Sequence, residues 1–227
     1  MKVKLIAHTP EPEKIVYIAA RTCYYKTPPI DVLEKELTDK EKNLIRRIIR
    51  SGHTSVIEHA YFTFIIEGIS RAASHQLVRH RIASYSQQSQ RYVKYEEGST
   101  MTPPAISKLG EASALYKKFI ADSEAVYKRL MEAGIPKEDC RFVLPSAVKT
   151  NLLVTMNARS LWNFFNLRCC ERSQWEIREL AWLMLKEVKK AAPLLFENAG
   201  PWCFQGSCPE NDEECRLKVA EKSRFKG

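Results

Sequence analysis

The chain has 227 residues, 44% of them hydrophobic, which is enough for one substantial core and removes the need for a disulfide scaffold. A formal charge of +9 points to anionic partners, either small molecules or nucleic acid. No apolar run of ~18 residues occurs and Met1–His8 lacks a signal-peptide pattern, so no membrane helix is expected and the cytoplasm is the expected compartment.

Val3–Ala7 alternates weakly and predicts a first strand. Glu11–Cys23 predicts a helix with Ile15, Ile18 and Ala19 on its apolar face and Pro12 in its first turn; Thr27-Pro28-Pro29 breaks it. Thr38 and Glu41 form a capping-box pattern before Leu44, Ile45, Ile48 and Ile49, and Ser51-Gly52 ends that helix. His53 to His59 places two histidines, a glutamate and two hydroxyls in seven residues. The histidines lie six apart, which fits no helical zinc motif, so a polar loop lining a pocket is favoured over a metal site. Tyr61–Glu67 alternates as a strand closed by Gly68, and a helix beginning near Ser70 is expected to deliver the residues that follow.

Those residues are the densest polar stretch of the chain. Arg79 to Arg91 holds three arginines, one histidine, three serines, three glutamines and two aliphatic side chains. Arginine offers a rigid fork of donors to phosphate or carboxylate, and Ser and Gln add neutral hydrogen bonds. An anion site with a polar heterocycle is favoured over a solvated basic loop. Ile69, Ala72, Ala73, Gln76, Leu77 and His80 follow helical spacing, which would gather the arginines in one place. Tyr92–Tyr95 is expected as a short strand and Gly98–Pro104 as a loop. Leu115, Phe119, Val126 and Leu130 mark the apolar stripe of a long helix ended by Gly134. Lys137–Phe142 predicts a short helix carrying Arg141. Ala147–Thr155 predicts a strand with Val148, Thr150, Leu152 and Val154 on one face.

Asn157 is expected to cap a helix with Leu161, Phe164 and Phe165 inside and Asn163, Asn166 and Arg168 extending its polar side. For Trp162 and Phe164, core packing is favoured over stacking on a ligand ring. Ser173 with Glu176 forms a second capping-box pattern before Ile177, Leu180, Ala181, Met184 and Val188. The end from Glu213 is charged and expected to be loosely held. Seven cysteines are expected as reduced thiols; Cys203, Cys208 and Cys215 fit no standard zinc spacing, and no metal is expected. There is no P-loop, no G-x-G-x-x-G and no G-x-S-x-G elbow.

Arg79-His80-Arg81, seven residues, then Ser89-Gln90-Arg91 resembles the hallmark of the flavin-dependent thymidylate synthases of the ThyX type. Ile82 to Tyr85, Asn157 to Leu161, Asn166-Leu167-Arg168, Gln174 to Ile177, His53 to His59 and Arg141 to Pro145 also look like that family, in the right order across roughly residues 15 to 196. The fold implied is α/β (α+β), a single domain with a central, mostly antiparallel sheet flanked by helices and no Rossmann motif. It would occupy residues 1–200, with a C-terminal extension of unassigned role at 201–227. The resemblance implies FAD held by His53, Ser55, Glu58, Arg79, His80, Arg81, Asn157, Arg159 and Asn163. It implies dUMP held by Gln76, Arg79, Gln87, Gln88, Ser89, Arg91, Arg141 and Arg168. Arg91 and Arg141 suit the phosphate, and Arg168 is the implied catalytic group, stabilising negative charge on the uracil ring. Gln87 stands where many members carry Glu, and Ser55 where Thr is frequent. Ser89 has no adjacent base to activate it and is assigned to substrate binding.

The implied reaction is reductive methylation of dUMP to dTMP, with methylenetetrahydrofolate as carbon donor and NADPH reducing the FAD. A homotetramer with active sites shared between subunits is implied, with no nucleic-acid and no membrane partner. The rivals are a flavin reductase without methyl transfer, and a basic nucleic-acid-binding protein using Tyr85, Tyr92 and Tyr95 for stacking.

Overall fold

The computed structural model describes residues 1–26, 29–206, 208–212 and 215. The expected break at Thr27-Pro28 and the charged end from Glu213, Cys215 apart, lie outside the described residues. Strands β1 (Lys2–His8), β2 (Tyr61–Ser70), β3 (Ser84–Gln87) and β4 (Lys149–Asn157) form one antiparallel sheet in the order β1-β2-β4-β3. In chain order the helices are α1 (Pro12–Tyr24), α2 (Asp39–Arg50), α3 (Arg71–Leu77), α4 (Pro104–Ser107), α5 (Gly110–Glu132), α6 (Lys137–Cys140), α7 (Ala158–Arg168), α8 (Trp175–Ala191) and α9 (Pro193–Phe196). This is the α+β class expected from the family resemblance. The chain packs as two compact units, each assembled from separate stretches.

The first unit holds Ile66–Arg79 and Tyr85–Leu153 with Met1–Lys2. Ser70 caps α3, its Oγ accepting from the Ala73 N–H at 3.0 Å. The next two amides, of Arg71 and Ala72, donate to the carbonyls of Val148 and Ser146, which ties the helix start to the approach to β4. Ile66, Ile69, Leu77, Ile120, Tyr127 and Cys140 are buried here.

The second unit holds Val3–Ile65, His80–Ser84 and the described residues from Val154 onward. Phe62, Phe64, Phe164, Phe165 and Phe196 are fully buried, and Phe196 meets Phe62 edge-on at 5.3 Å. Each such ring contributes roughly 1.5–3 kcal/mol over an exposed one. A 3-10 turn, Thr54–His59, packs against both α1 and α7, with Val56 and Ile57 buried beneath it.

Several local expectations are corrected. Helix α3 stops at Leu77, so Arg79, His80 and Arg81 lie beyond it. The periodicity that ran on to His80 reflects burial of the imidazole and not continued helix. The strand of this region is Ser84–Gln87, inside the polar stretch, while Tyr92–Tyr95 forms none. Short polar strands at a sheet edge carry little hydrophobic alternation. Gly68 does not close β2; at φ 73° it lets the strand run on to Ser70. Helix α1 buries Val16, Tyr17 and Ala20 and leaves Ile15, Ile18 and Ala19 half-exposed. Helix α5 buries Ile120, Ser123 and Tyr127 and leaves Leu115, Phe119 and Val126 exposed. In α5 the buried side carries two hydroxyls, one of which, Ser123 Oγ, donates to the Val143 carbonyl at 2.7 Å. A hydroxyl with an internal acceptor counts as polar in a sequence pattern yet packs as core. Helix α8 is capped by Gln174, whose Oε1 accepts from the Glu176 and Ile177 amides, and Ser173 Oγ donates to Leu167 instead.

Candidate active-site clusters

In the second unit, the turn after α3 buries His80 to 8% exposure, with its ring edge-on to Phe164 at 4.9 Å. Its Nε2 accepts from Arg168 Nε at 3.1 Å. An arginine nitrogen only donates, so this Nε2 carries no proton. Burial first, and the Arg168 charge second, lower the His80 pKa to about 4. The imidazole is therefore neutral at physiological pH and holds Arg168 without cancelling its charge. Arg168, at the last turn of α7, is half-buried, and burial lowers its pKa. No carboxylate pairs with it among the described residues.

The same unit brings the Thr54–His59 turn against α7, where Glu58 pairs with Arg159. Both side chains are about half exposed, at 43% and 55%. Exposed pairs contribute only about 0–1 kcal/mol, so stability does not account for this one. Arg159 and Asn163 lie one turn apart on α7, and His53 and Ser55 are exposed at the start of the turn that Glu58 closes. Arg81 is exposed with no carboxylate partner among the described residues. Asn157 is only 6% exposed; its Oδ1 caps α7 by accepting from the Ser160 amide at 2.8 Å, as the sequence predicts. Asn166 departs from its expected place on the polar side. It is buried and accepts from Gln205 Nε2 at 2.6 Å. Phe164 is core, as expected, and Trp162 donates to the Leu195 carbonyl.

The first unit contains Gln76, Arg79, Gln87, Gln88, Ser89, Arg91 and Arg141. Gln87 Nε2 donates to Ser74 Oγ at 3.0 Å and to Thr150 Oγ1 at 3.3 Å. Ser74 spends its own proton on the Arg71 carbonyl. A carboxylate at position 87 would therefore face one hydroxyl with no proton to give, which explains locally why an amide suits this chain. Gln88 is fixed three ways: its amide donates to the Asn151 carbonyl, its Oε1 accepts from Asn151 Nδ2 at 3.2 Å, and its carbonyl accepts from Arg71 Nη2 at 2.8 Å. Ser89 Oγ accepts from the Arg91 amide, and among the described residues no basic side chain hydrogen-bonds to it. Arg91 pairs with Glu138 at 2.7 Å, while Arg141 donates Nε to the Glu138 carbonyl at 3.0 Å. Gln76 is half-buried on α3 and Arg79 is exposed.

Next to Gln88 and Ser89 lies a cavity of about 210 Å³ whose wall includes Arg71, Lys94, Lys149 and Asn151. The sequence did not single out these four: a lone Arg at a helix start, a lone Lys in a loop and a Lys and an Asn on a strand carry no pattern that could have done so. Of the tyrosines weighed for stacking, Tyr85 donates to the Leu77 carbonyl and Tyr95 to Glu124 at 2.5 Å, so neither hydroxyl is idle. Among the described residues, no three His, Cys, Asp or Glu side chains come together as a metal site. None of their helices is long and apolar enough to cross a membrane.

Residues 4–194 match the family model described as thymidylate synthase complementing protein. The flavin-dependent thymidylate synthase of Geobacter sulfurreducens is 50% identical over 99% of this chain and 97% of its own length. That of Sulfolobus acidocaldarius is 50% identical over 90% of this chain and 78% of its own. Among solved structures, a UMP/dUMP methylase, PolB from Streptomyces cacaoi, bound with 5-Br dUMP, superposes with a TM-score of 0.73 at 24% identity, over 86% of this chain and 93% of that one. The structural likeness shows the fold. Together with the identities across nearly the whole chain, it leads to one conclusion: this chain belongs to the flavin-dependent thymidylate synthases.

Proposed function

We propose that this enzyme converts dUMP to dTMP by reductive methylation, and that Arg168, held by a neutral His80, is its catalytic group. The hydrogen bond between those two side chains carries the reading. A half-buried guanidinium with no acid beside it is costly to keep, and a neutral acceptor orients it while leaving the full charge for a ligand. Set against the uracil ring, that charge favours the ring anion and makes C5 the nucleophile. The carbon bond then forms between C5 and the methylene group of methylenetetrahydrofolate. Loss of the C5 proton and cleavage of the bond from that carbon to the folate nitrogen release tetrahydrofolate and leave an exocyclic methylene on the pyrimidine, which a hydride converts to the methyl group; NADPH is the ultimate hydride source.

The donor set suits FAD. Arg79 and Arg81 are exposed cations without carboxylate partners among the described residues, fit for a pyrophosphate. His53, Ser55, Glu58, Arg159 and Asn163 supply neutral and charged hydrogen-bonding groups around one turn and one helix face. Bound there, FAD supplies hydride transfer. Gln76, Gln87, Gln88 and Ser89 supply neutral polar groups for the nucleoside, and Arg91 and Arg141 charge for its phosphate. The exposed stripe of Leu115, Phe119 and Val126 supports a homo-oligomer, a tetramer with shared sites in this reading.

The test is the visible spectrum of purified protein loaded with FAD, before and after dUMP. A flavin band that moves with dUMP is expected. A flavin band indifferent to dUMP would replace this reading with a flavin reductase. Failure to take up FAD would reopen the nucleic-acid reading.

A further inference from the structure

Helix α7 ends on Arg168, and the last turn of a helix is where fraying begins. Two side-chain contacts close that end. Ser173 Oγ donates to the Leu167 carbonyl at 2.7 Å. Asn166 Oδ1 accepts from Gln205 Nε2 at 2.6 Å, across 39 residues of sequence. Asn166 is only 5% exposed, and a buried amide needs such a partner. The partner comes from chain beyond residues 4–194, the stretch that the family model matches. Gln205 closes a 3-10 turn, Trp202–Gln205, whose backbone is fixed on its own account. The Phe204 amide donates to the Pro201 carbonyl at 2.9 Å, and the Gly206 amide to the Cys203 carbonyl at 3.3 Å. The Phe204 ring lies 6.1 Å from that of Trp182 on α8, and so near Gly200 that a Cβ there would stand 2.6 Å from it. Further on, Glu210 pairs at 2.5 Å with Arg172, which lies just past α7. A tethered turn thus presents Gln205 to Asn166, two residues before the arginine whose Nε meets His80 Nε2.

We infer that Gln205 is a positioning residue for the methylation: through Asn166 it holds the last turn of α7, and with it Arg168, where the neutral His80 can orient the guanidinium. The inference rests on the catalytic reading of Arg168 above and gives the segment after Pro201 a task in the reaction. Gln205 is itself exposed, so replacing it removes the bond without opening the core. Its effect therefore falls on placement more than on global stability. A misplaced charge loses rate steeply, because the group must stand where negative charge develops on the ring.

The experiment is a double-mutant cycle on dTMP formation by the full-length, FAD-loaded protein. It compares the wild type, Gln205→Met, Arg168→Ala and the double variant, with flavin content and Tm as folding checks. Methionine keeps the length of the side chain and loses its donor. Gln205→Met should lower kcat and kcat/KM together, roughly 3- to 10-fold, with KM for dUMP within twofold of the wild type. In the Arg168→Ala background the same substitution should change kcat less than about twofold, because the charge it places is gone. An equal fall in both backgrounds, no fall in either, or a raised KM at unchanged kcat overturns the inference. If Arg168→Ala turns over within tenfold of the wild type, the catalytic reading fails and this inference with it; a failure confined to the Gln205 variants overturns the inference alone. If Gln205→Met does not fold, the same cycle with Gln205→Ala decides.

Discussion

The arginines of the two units divide by what stands beside them. Arg91 in the first unit and Arg159 in the second each meet a carboxylate, Glu138 and Glu58, and all four side chains are about half exposed. Arg71 and Arg168 are more deeply set and meet none: one donates to a backbone carbonyl, the other to a neutral imidazole. Stability alone would produce the opposite pattern, since an unpaired charge costs most where water is scarce. In the proposed reading the neutral-partnered arginines are the ones whose charge is kept for a ligand, and the acid-paired ones already have a partner to exchange. The two units differ in how the charge is kept. In the first, the guanidinium has an unfilled buried donor and feels the charge of Arg141; in the second, an imidazole holds the guanidinium.

Removing the imidazole-held charge gives the largest expected effect. Arg168→Ala should lower dTMP formation by at least about 10²–10³-fold, the size of loss seen when a preorganised electrostatic group is deleted. Flavin content should remain, because Arg168 is assigned to the pyrimidine. Turnover within tenfold of the wild type, measured by product formation under saturating dUMP, would end its catalytic role. Arg159→Ala offers the contrast: an exposed, acid-paired arginine should change flavin affinity more than the chemical step.

His80 should give the next largest effect, with a pH signature. Its folded pKa of about 4 lies below the ordinary value of 6.5. Above pH 6.5 neither the folded nor the unfolded chain protonates it, and the neutral ring's contribution is complete. As pH falls from about 6.5 towards 4, the unfolded chain takes up a proton that the fold refuses, and stability drops by up to about 3 kcal/mol. His80→Gln should flatten that part of the stability curve. Its amide oxygen can still accept from Arg168, so it should retain more turnover than His80→Ala while KM for dUMP stays close between the two. Urea melts at pH 5 and pH 7.5 decide the matter; an equal slope in wild type and His80→Gln would mean another group titrates there.

Much of this arrangement is legible in the sequence. The alternation of Phe62, Phe64 and Ile66, and of Thr150, Leu152 and Val154, marks the central strands, because both faces there differ sharply in polarity. Asn157 marks the start of α7 because a side-chain cap is local chemistry. The stripe of α1 misleads because that helix is apolar on two sides and only the tertiary partner selects between them; that of α5 misleads because its buried side carries the hydroxyls of Ser123 and Tyr127, which a sequence pattern counts as polar. The motif places Arg79 to Arg91 and Arg168 as important, but it cannot say that His80 and Arg168, far apart in sequence, share a hydrogen bond. Arg71 was illegible for a different reason: an unpaired buried donor is defined by what is missing around it.

The smallest effect separates a cap from a contact. Ser70 caps α3 in the first unit and Asn157 caps α7 in the second, each accepting from the backbone N–H three residues on, at 3.0 and 2.8 Å. Replacing either by Ala should cost about 1 kcal/mol, lowering Tm by roughly 2–4 °C in a chain of this size. Asn157 also lies next to Ala158 and Arg159, on the side of α7 assigned to the flavin, whereas no flavin group is assigned near Ser70. Asn157→Ala should therefore also release FAD more readily, and Ser70→Ala should not, when both are compared by equilibrium dialysis at a temperature well below either melt. Matching flavin retention in the two variants would remove Asn157 from the flavin-holding set and leave it a helix cap, because loss of the cap alone acts through helix stability, and that loss is common to both.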